Sequence, residues 1–161
     1  DLECESDVKA LVWLLSESVA QRLRESRLRC RTISVGARWA RDLTGYSRQT
    51  TVRVPTCLTR DIANFAIELL RANQPFDKDH ALRAIHVRVT NLVPMDVPVQ
   101  CDLFGDAAEV VRMERLDLAI DALRVRFGNT CVKRAVELTD DVMSSLDIKR
   151  DNTVHPIGFL R

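Results

Sequence analysis

Two groups of residues in this 161-residue chain have the types and spacing to do chemistry. The first recurs at alternate positions: Thr32, Ser34 and Arg38, then Ser47, Gln49, Thr51 and Arg53, then His86, Arg88 and Thr90. All can donate hydrogen bonds and none is acidic, a combination suited to phosphate oxygens. A plain solvated sheet face is the competing reading, although such faces usually mix in Glu and Lys. The second group lies in "PVQCDLFGD", residues 98–106, where Gln100 is followed by Leu103 and Phe104. Pro94 and Pro98 keep a helix or a central strand from running through. The Leu-Phe pair either folds back onto its own domain or is held out for another protein.

Other chemistry lacks its residues. His80, His86 and His155 have no metal-ligand spacing among themselves. Neither G-x-x-x-x-G-K-[ST] nor G-x-G-x-x-G occurs among the five glycines. Asp140 and Asp141 read as acids at a helix start, and no nucleophile has a base beside it in sequence. No catalytic residue, metal ligand or cofactor site is expected. Five cysteines (4, 30, 57, 101, 131) are scattered without a C-x-x-C pair, so reduced thiols are expected.

The elements that must position these residues follow from periodicity. Residues 6–28 are helical, with Val8, Leu11, Val12, Leu15, Val19 and Leu23 on one face and Ser6 or Asp7 as the cap. In "TISVGARWA" the period becomes two: Ile33, Val35, Ala37 and Trp39 point one way, Thr32, Ser34, Gly36 and Arg38 the other. "RDLTG" turns into a second strand, with Tyr46, Thr50, Val52 and Val54 inward. A helix in "TRDIANFAIELLRAN" has Thr59 or Asp61 as cap and Ile62, Phe65, Ala66 and Leu69 as its stripe. A third strand places Ile85, Val87 and Val89 inward, and His86, Arg88 and Thr90 outward. A last helix, 108–128, carries the stripe Val110, Met113 or Leu116, Ile120, Leu123 and Phe127, with Gly128 as its C-cap.

Strands with one apolar and one polar face need helices on one side only, giving a two-layer α+β sandwich. With one more strand before residue 1 the order is βαββαβ, the ferredoxin-like arrangement, plus a C-terminal helical extension. The absence of an initiator Met and the helix-like start suggest a fragment whose first strand is truncated. Net charge is +1, yet residues 8–60 hold eleven Lys/Arg against three Asp/Glu. That asymmetry suits a polyanion partner, or a solvated arginine-rich face. No stretch is long enough to span a membrane, so a cytoplasmic location is the default.

The order of elements, and the words within them, resemble the C-terminal half of a bacterial Y-family translesion DNA polymerase, UmuC/DNA polymerase IV-like and of Gram-positive type. "VAQRLRESRLRCRTISVGARWARDLTGYSRQTTVRVPT" is similar to that family's helix and DNA-facing hairpin. "AIHVRVTNLVPMDVPVQCDLF" resembles its last strand, the L-V-P turn and the clamp-binding Q-x-x-L-F, and "HPIGFLR" a family ending. The resemblance implies a little finger DNA-binding domain over 1–95, a linker with a sliding-clamp motif over 96–106, and a helical extension over 107–161. It implies duplex contact at Thr32, Ser34 and Arg38, at Ser47, Arg48, Gln49 and Thr51, and clamp contact at Gln100, Leu103 and Phe104. Arg53, His86 and Arg88 complete the DNA-facing set. Gly36 stands where many members have Lys, Thr50 where many have Arg, and Cys101 where Leu is frequent. Strict alternation turns Arg48 inward, unless a bulge brings it round. The parent would be a DNA-directed DNA polymerase of translesion synthesis, DNA repair and the SOS response, with its magnesium on an upstream palm. Two other readings are a ferredoxin-like RNA-binding module, which needs aromatics on the sheet, and a small-ligand regulatory domain, which needs a pocket.

Overall fold

The computed structural model describes residues 2–73, 78–98, 107–139 and 145–147. Alternating side chains build three strands, β1 (Leu28–Trp39), β2 (Gly45–Thr56) and β3 (Leu82–Pro94). They pair antiparallel in the order β2-β1-β3, so the last strand lies beside the first. Leu2 bridges Leu82 through paired backbone hydrogen bonds of 2.8 and 3.0 Å at the outer edge of β3.

Helices α1 (Glu5–Glu25) and α2 (Thr59–Arg71) cover the apolar face. The result is the two-layer α+β sandwich of ferredoxin-like kind that the alternation demands. The core has two centres. One gathers Val8, Val12, Val35, Ala37, Ala66, Ile67, Leu70 and Leu82; the other gathers Ala20, Leu23, Cys30, Ile33, Val52, Cys57 and Ile62. Trp13, Trp39 and Tyr46 pack against the first as half-buried rings.

The caps differ from expectation. Cys4 and Leu58 precede the two helices, and neither makes a side-chain cap. At α2 the free Thr59 N–H donates instead to Asp117 Oδ2, 3.0 Å away on α3 (Ala107–Phe127). A carboxylate from another element thus meets the positive end of the helix.

Helix α3 also reverses its expected orientation. The stripe Val110, Leu116, Leu123 and Phe127 is exposed, Met113 and Ile120 are half-buried, and the buried residues are Asp117, Asp121 and Arg124. Arg24, in the last turn of α1, reaches across to α3. Its Nε and Nη2 donate to the two Asp121 oxygens at 2.6 and 3.0 Å, and its Nη1 to Asp117 at 3.0 Å and the Cys57 carbonyl at 2.8 Å. Arg124 and Arg134 both donate to Glu17 of α1, at 2.6 and 2.7 Å. The polar side of α3 is therefore the docked side, because the surface it meets offers buried charges that need counter-charges. On α1, Leu14, Glu17 and Gln21 are buried, while Leu11, Leu15 and Val19 of the expected stripe stay half-buried. Gly128 ends α3 at φ 97°, with its N–H on the Arg124 carbonyl, as its position predicts.

Candidate nucleic-acid interface

Strand register brings the alternating polar residues into cross-strand rows on the sheet face away from α1 and α2. Thr51, Thr32 and Thr90 make one row; Gln49, Ser34 and Arg88 the next; then Ser47, Gly36 and His86; then Gly45, Arg38 and Ala84. A register shift between Cys30 and Thr32 interrupts β2 beyond Thr51, yet buried Val52 is followed by exposed Arg53. The three strands contain seven arginines and no Asp or Glu.

The face is not uniformly on display. Ser47, Gln49, Thr51, Arg53, His86, Arg88, Thr90 and Arg38 are exposed. Thr32 and Ser34, expected to be displayed with them, are only 2% and 8% exposed. They sit on the central strand, where neighbours from both sides close over them: Asn91 donates to Thr32 Oγ1 at 2.8 Å, and Ser34 and Ser47 share a hydroxyl contact of 3.3 Å. Gly36 explains the seat of His86. A Cβ at that position would fall into the imidazole, so the bare glycine lets the ring lie across β1.

Arg38, Arg53 and Arg88 form no ion pair or side-chain hydrogen bond with the described residues. Arg48 differs. It pairs with Val35 in the helix-side row, its Nε donates to Asn73 Oδ1 at 2.9 Å, and its guanidinium lies 5.5 Å from the Tyr46 ring centre. No register shift falls at this position. Gln100, Leu103 and Phe104 lie outside the described residues, between the end of β3 and the start of α3. Among the described residues no group of three or more His, Cys, Asp or Glu is placed to hold a metal ion. No helix among them is long and apolar enough to cross a membrane.

What sequence reasoning missed is the charged seam under α3. Asp117, Asp121 and Arg124 recur at helical spacing, a signal as regular as the apolar stripe beside it.

Residues 1–103 match the model of the impB/mucB/samB family C-terminal domain. The chain belongs to this family. It is the C-terminal region of a Y-family polymerase, and its matched span takes in the whole sandwich and stops before α3. Similarity to relatives runs further. The chain is 36% identical over 140 residues to a DNA polymerase IV of Acetivibrio thermocellus, covering 87% of this chain and 34% of that protein. It is 30% identical over 135 residues to UvrX of Bacillus subtilis, named for UV-damage repair, covering 83% of this chain and 31% of that one. A DNA polymerase IV of Pelotomaculum thermopropionicum is 32% identical over 134 residues, 83% of this chain and 32% of its own length. The chain spans about a third of the length of these relatives.

Proposed function

We propose that this chain is the little finger region of an error-prone DNA polymerase, and that its open sheet face grips duplex phosphates during translesion synthesis. The observation that carries the reading is the acid-free face on which, among the described residues, the guanidiniums of Arg38, Arg53 and Arg88 are unengaged. Cations without internal partners are free to replace the counterions of a phosphate backbone. Ser47, Gln49, Thr51, Thr90 and His86 add further donors between them, while Thr32 and Ser34 lie in the central strand and meet a phosphate only if the covering side chains part. Arg48 would reach DNA only by leaving Asn73. Gln100, Leu103 and Phe104 form the second half of the proposal: a short peptide with two apolar anchors and an amide for a bacterial sliding clamp. Weak binding there is useful, because tethering raises local concentration. Nucleotide addition, and the magnesium it uses, would belong to a palm outside this chain.

The test is titration of a fluorescent 20-base-pair duplex at several salt concentrations. The wild-type chain is expected to bind with a steep salt dependence. Arg38→Ala/Arg53→Ala/Arg88→Ala is expected to bind weakly, with a log–log slope shallower by roughly 3. Equal binding by both forms, or none by either, would overturn the phosphate grip. For the clamp half, a Leu103→Ala/Phe104→Ala chain is expected to lose saturable binding to the sliding clamp.

A further inference from the structure

The hairpin end of the open face holds a feature that phosphate gripping does not use. Asp42 Oδ1 accepts hydrogen bonds from the Thr44 amide at 3.0 Å and the Thr44 hydroxyl at 2.7 Å, which bridge the β1–β2 turn across Leu43. Inside it Leu43 adopts φ 60°, the left-handed region that β-carbons disfavour and that glycine or asparagine would occupy more easily. Its side chain is nevertheless 59% exposed. The turn thus holds a large apolar group in water on a strained backbone, which gives stability no evident return.

Leu43 borders a groove of about 540 Å³ at this end of the sheet, shared with Arg38, Ser47, Ala84 and His86. Its lining combines carbon, from Leu43 and Ala84, with hydrogen-bond donors, from Arg38, Ser47 and His86. Gly36 keeps the imidazole low enough to border the groove rather than block it. We infer that this groove is a subsite for one deoxyribose–phosphate unit of the duplex, with Leu43 packed on the carbon face of the sugar and Arg38 and His86 on the adjoining phosphate. The inference rests on the DNA-binding reading above and adds an apolar contact to it. Sugar carbons are present at every nucleotide, so the contact strengthens binding without reading sequence.

The experiment uses the full 161-residue chain and the same duplex titration, with Leu43→Gly, Leu43→Asn and Arg38→Ala beside wild type. Both Leu43 variants suit a left-handed backbone, so their melting temperatures are expected to equal or exceed wild type. Their duplex affinity is expected to fall about fivefold, as for a partly buried leucine, with the salt slope unchanged. Arg38→Ala is expected to lower the slope by about 1. Wild-type affinity in both Leu43 variants, with Arg38→Ala weakened, would overturn the subsite and leave the phosphate grip standing. A slope lowered as in Arg38→Ala would also overturn it, since Leu43 would then act only by placing the arginine. If the wild-type chain itself fails to bind duplex, the DNA-binding reading and the subsite fall together.

Discussion

Arg24 holds two carboxylates and a main-chain carbonyl at once, and its side chain is almost fully withdrawn from water. Burial opposes its charge, but the Asp121 hydrogen bonds and the charges of Asp117 and Asp121 outweigh that and raise its pKa above the ordinary value. Removing the guanidinium leaves Asp117 and Asp121 buried and under-paired. Arg24→Ala is therefore expected to cost about 3–5 kcal/mol in urea unfolding. Glu137 is the opposite case. It is buried, its Oε1 has no hydrogen-bond partner among the described residues, and desolvation followed by the nearby Glu17 charge pushes its carboxyl from 4.5 up to about 7, against the pull of Arg124 and Arg134. Between those two values the folded chain keeps a proton that the unfolded chain has released. Stability from this group is complete below 4.5 and is lost as pH rises through about 7. Melting temperatures of wild type and Glu137→Gln should differ least at the acid end, and the variant should gain on wild type as pH rises above 4.5, the gap levelling off above about 7.

At the scale of the element, α3 is the instructive one. Its binary pattern is readable either way, because a charged seam at 117, 121 and 124 lies between two apolar flanks. Docking follows the seam, since α1 presents Glu17 and Arg24 and α2 presents an uncapped N-terminus. Stability should therefore be insensitive to the stripe and sensitive to the seam. Leu123→Gln, at an exposed position, is expected to change unfolding free energy by less than about 0.5 kcal/mol. Asp117→Ala, which strips Arg24 of a partner and the Thr59 amide of its cap, is expected to cost about 3 kcal/mol. Equal costs for the two in denaturant titration would mean that the helix docks by its apolar flank.

The whole molecule sorts its thiols as it sorts its charges. Cys30 and Cys57 are buried in the second core centre, and burial pushes their pKa values up to about 12 and about 11. Cys4 and Cys131 are exposed. In the native state at neutral pH, a disulfide reagent is expected to label Cys4 and Cys131 promptly. Cys30 and Cys57 should be labelled only at the rate at which the sandwich opens, because the thiolate is the reacting form and the helices must leave the sheet to expose it. Prompt reaction of Cys30, located by peptide mapping, would mean that the core is looser than its packing indicates.

The sequence by itself determined the three strands, the two covering helices and the polar face. A period of two leaves no choice about which residues share a side: Ile33, Val35 and Ala37 go to the helices, and Ser34, Gln49 and Arg88 go to one row once the strands align. The Gly128 stop was equally legible, because only a left-handed residue ends α3 there. Tertiary structure decided the rest. Thr32 and Ser34 carry the same local signal as Thr51 and Ser47, yet only the central strand has neighbours on both sides to cover them. The open place over Gly36 has meaning only once β3 brings His86 alongside. The orientation of α3 depended on Arg24, 93 and 97 residues away from its two partners. Periodicity ranks the faces of one helix by their own residues, but a buried charge is satisfied only by what another part of the chain presents.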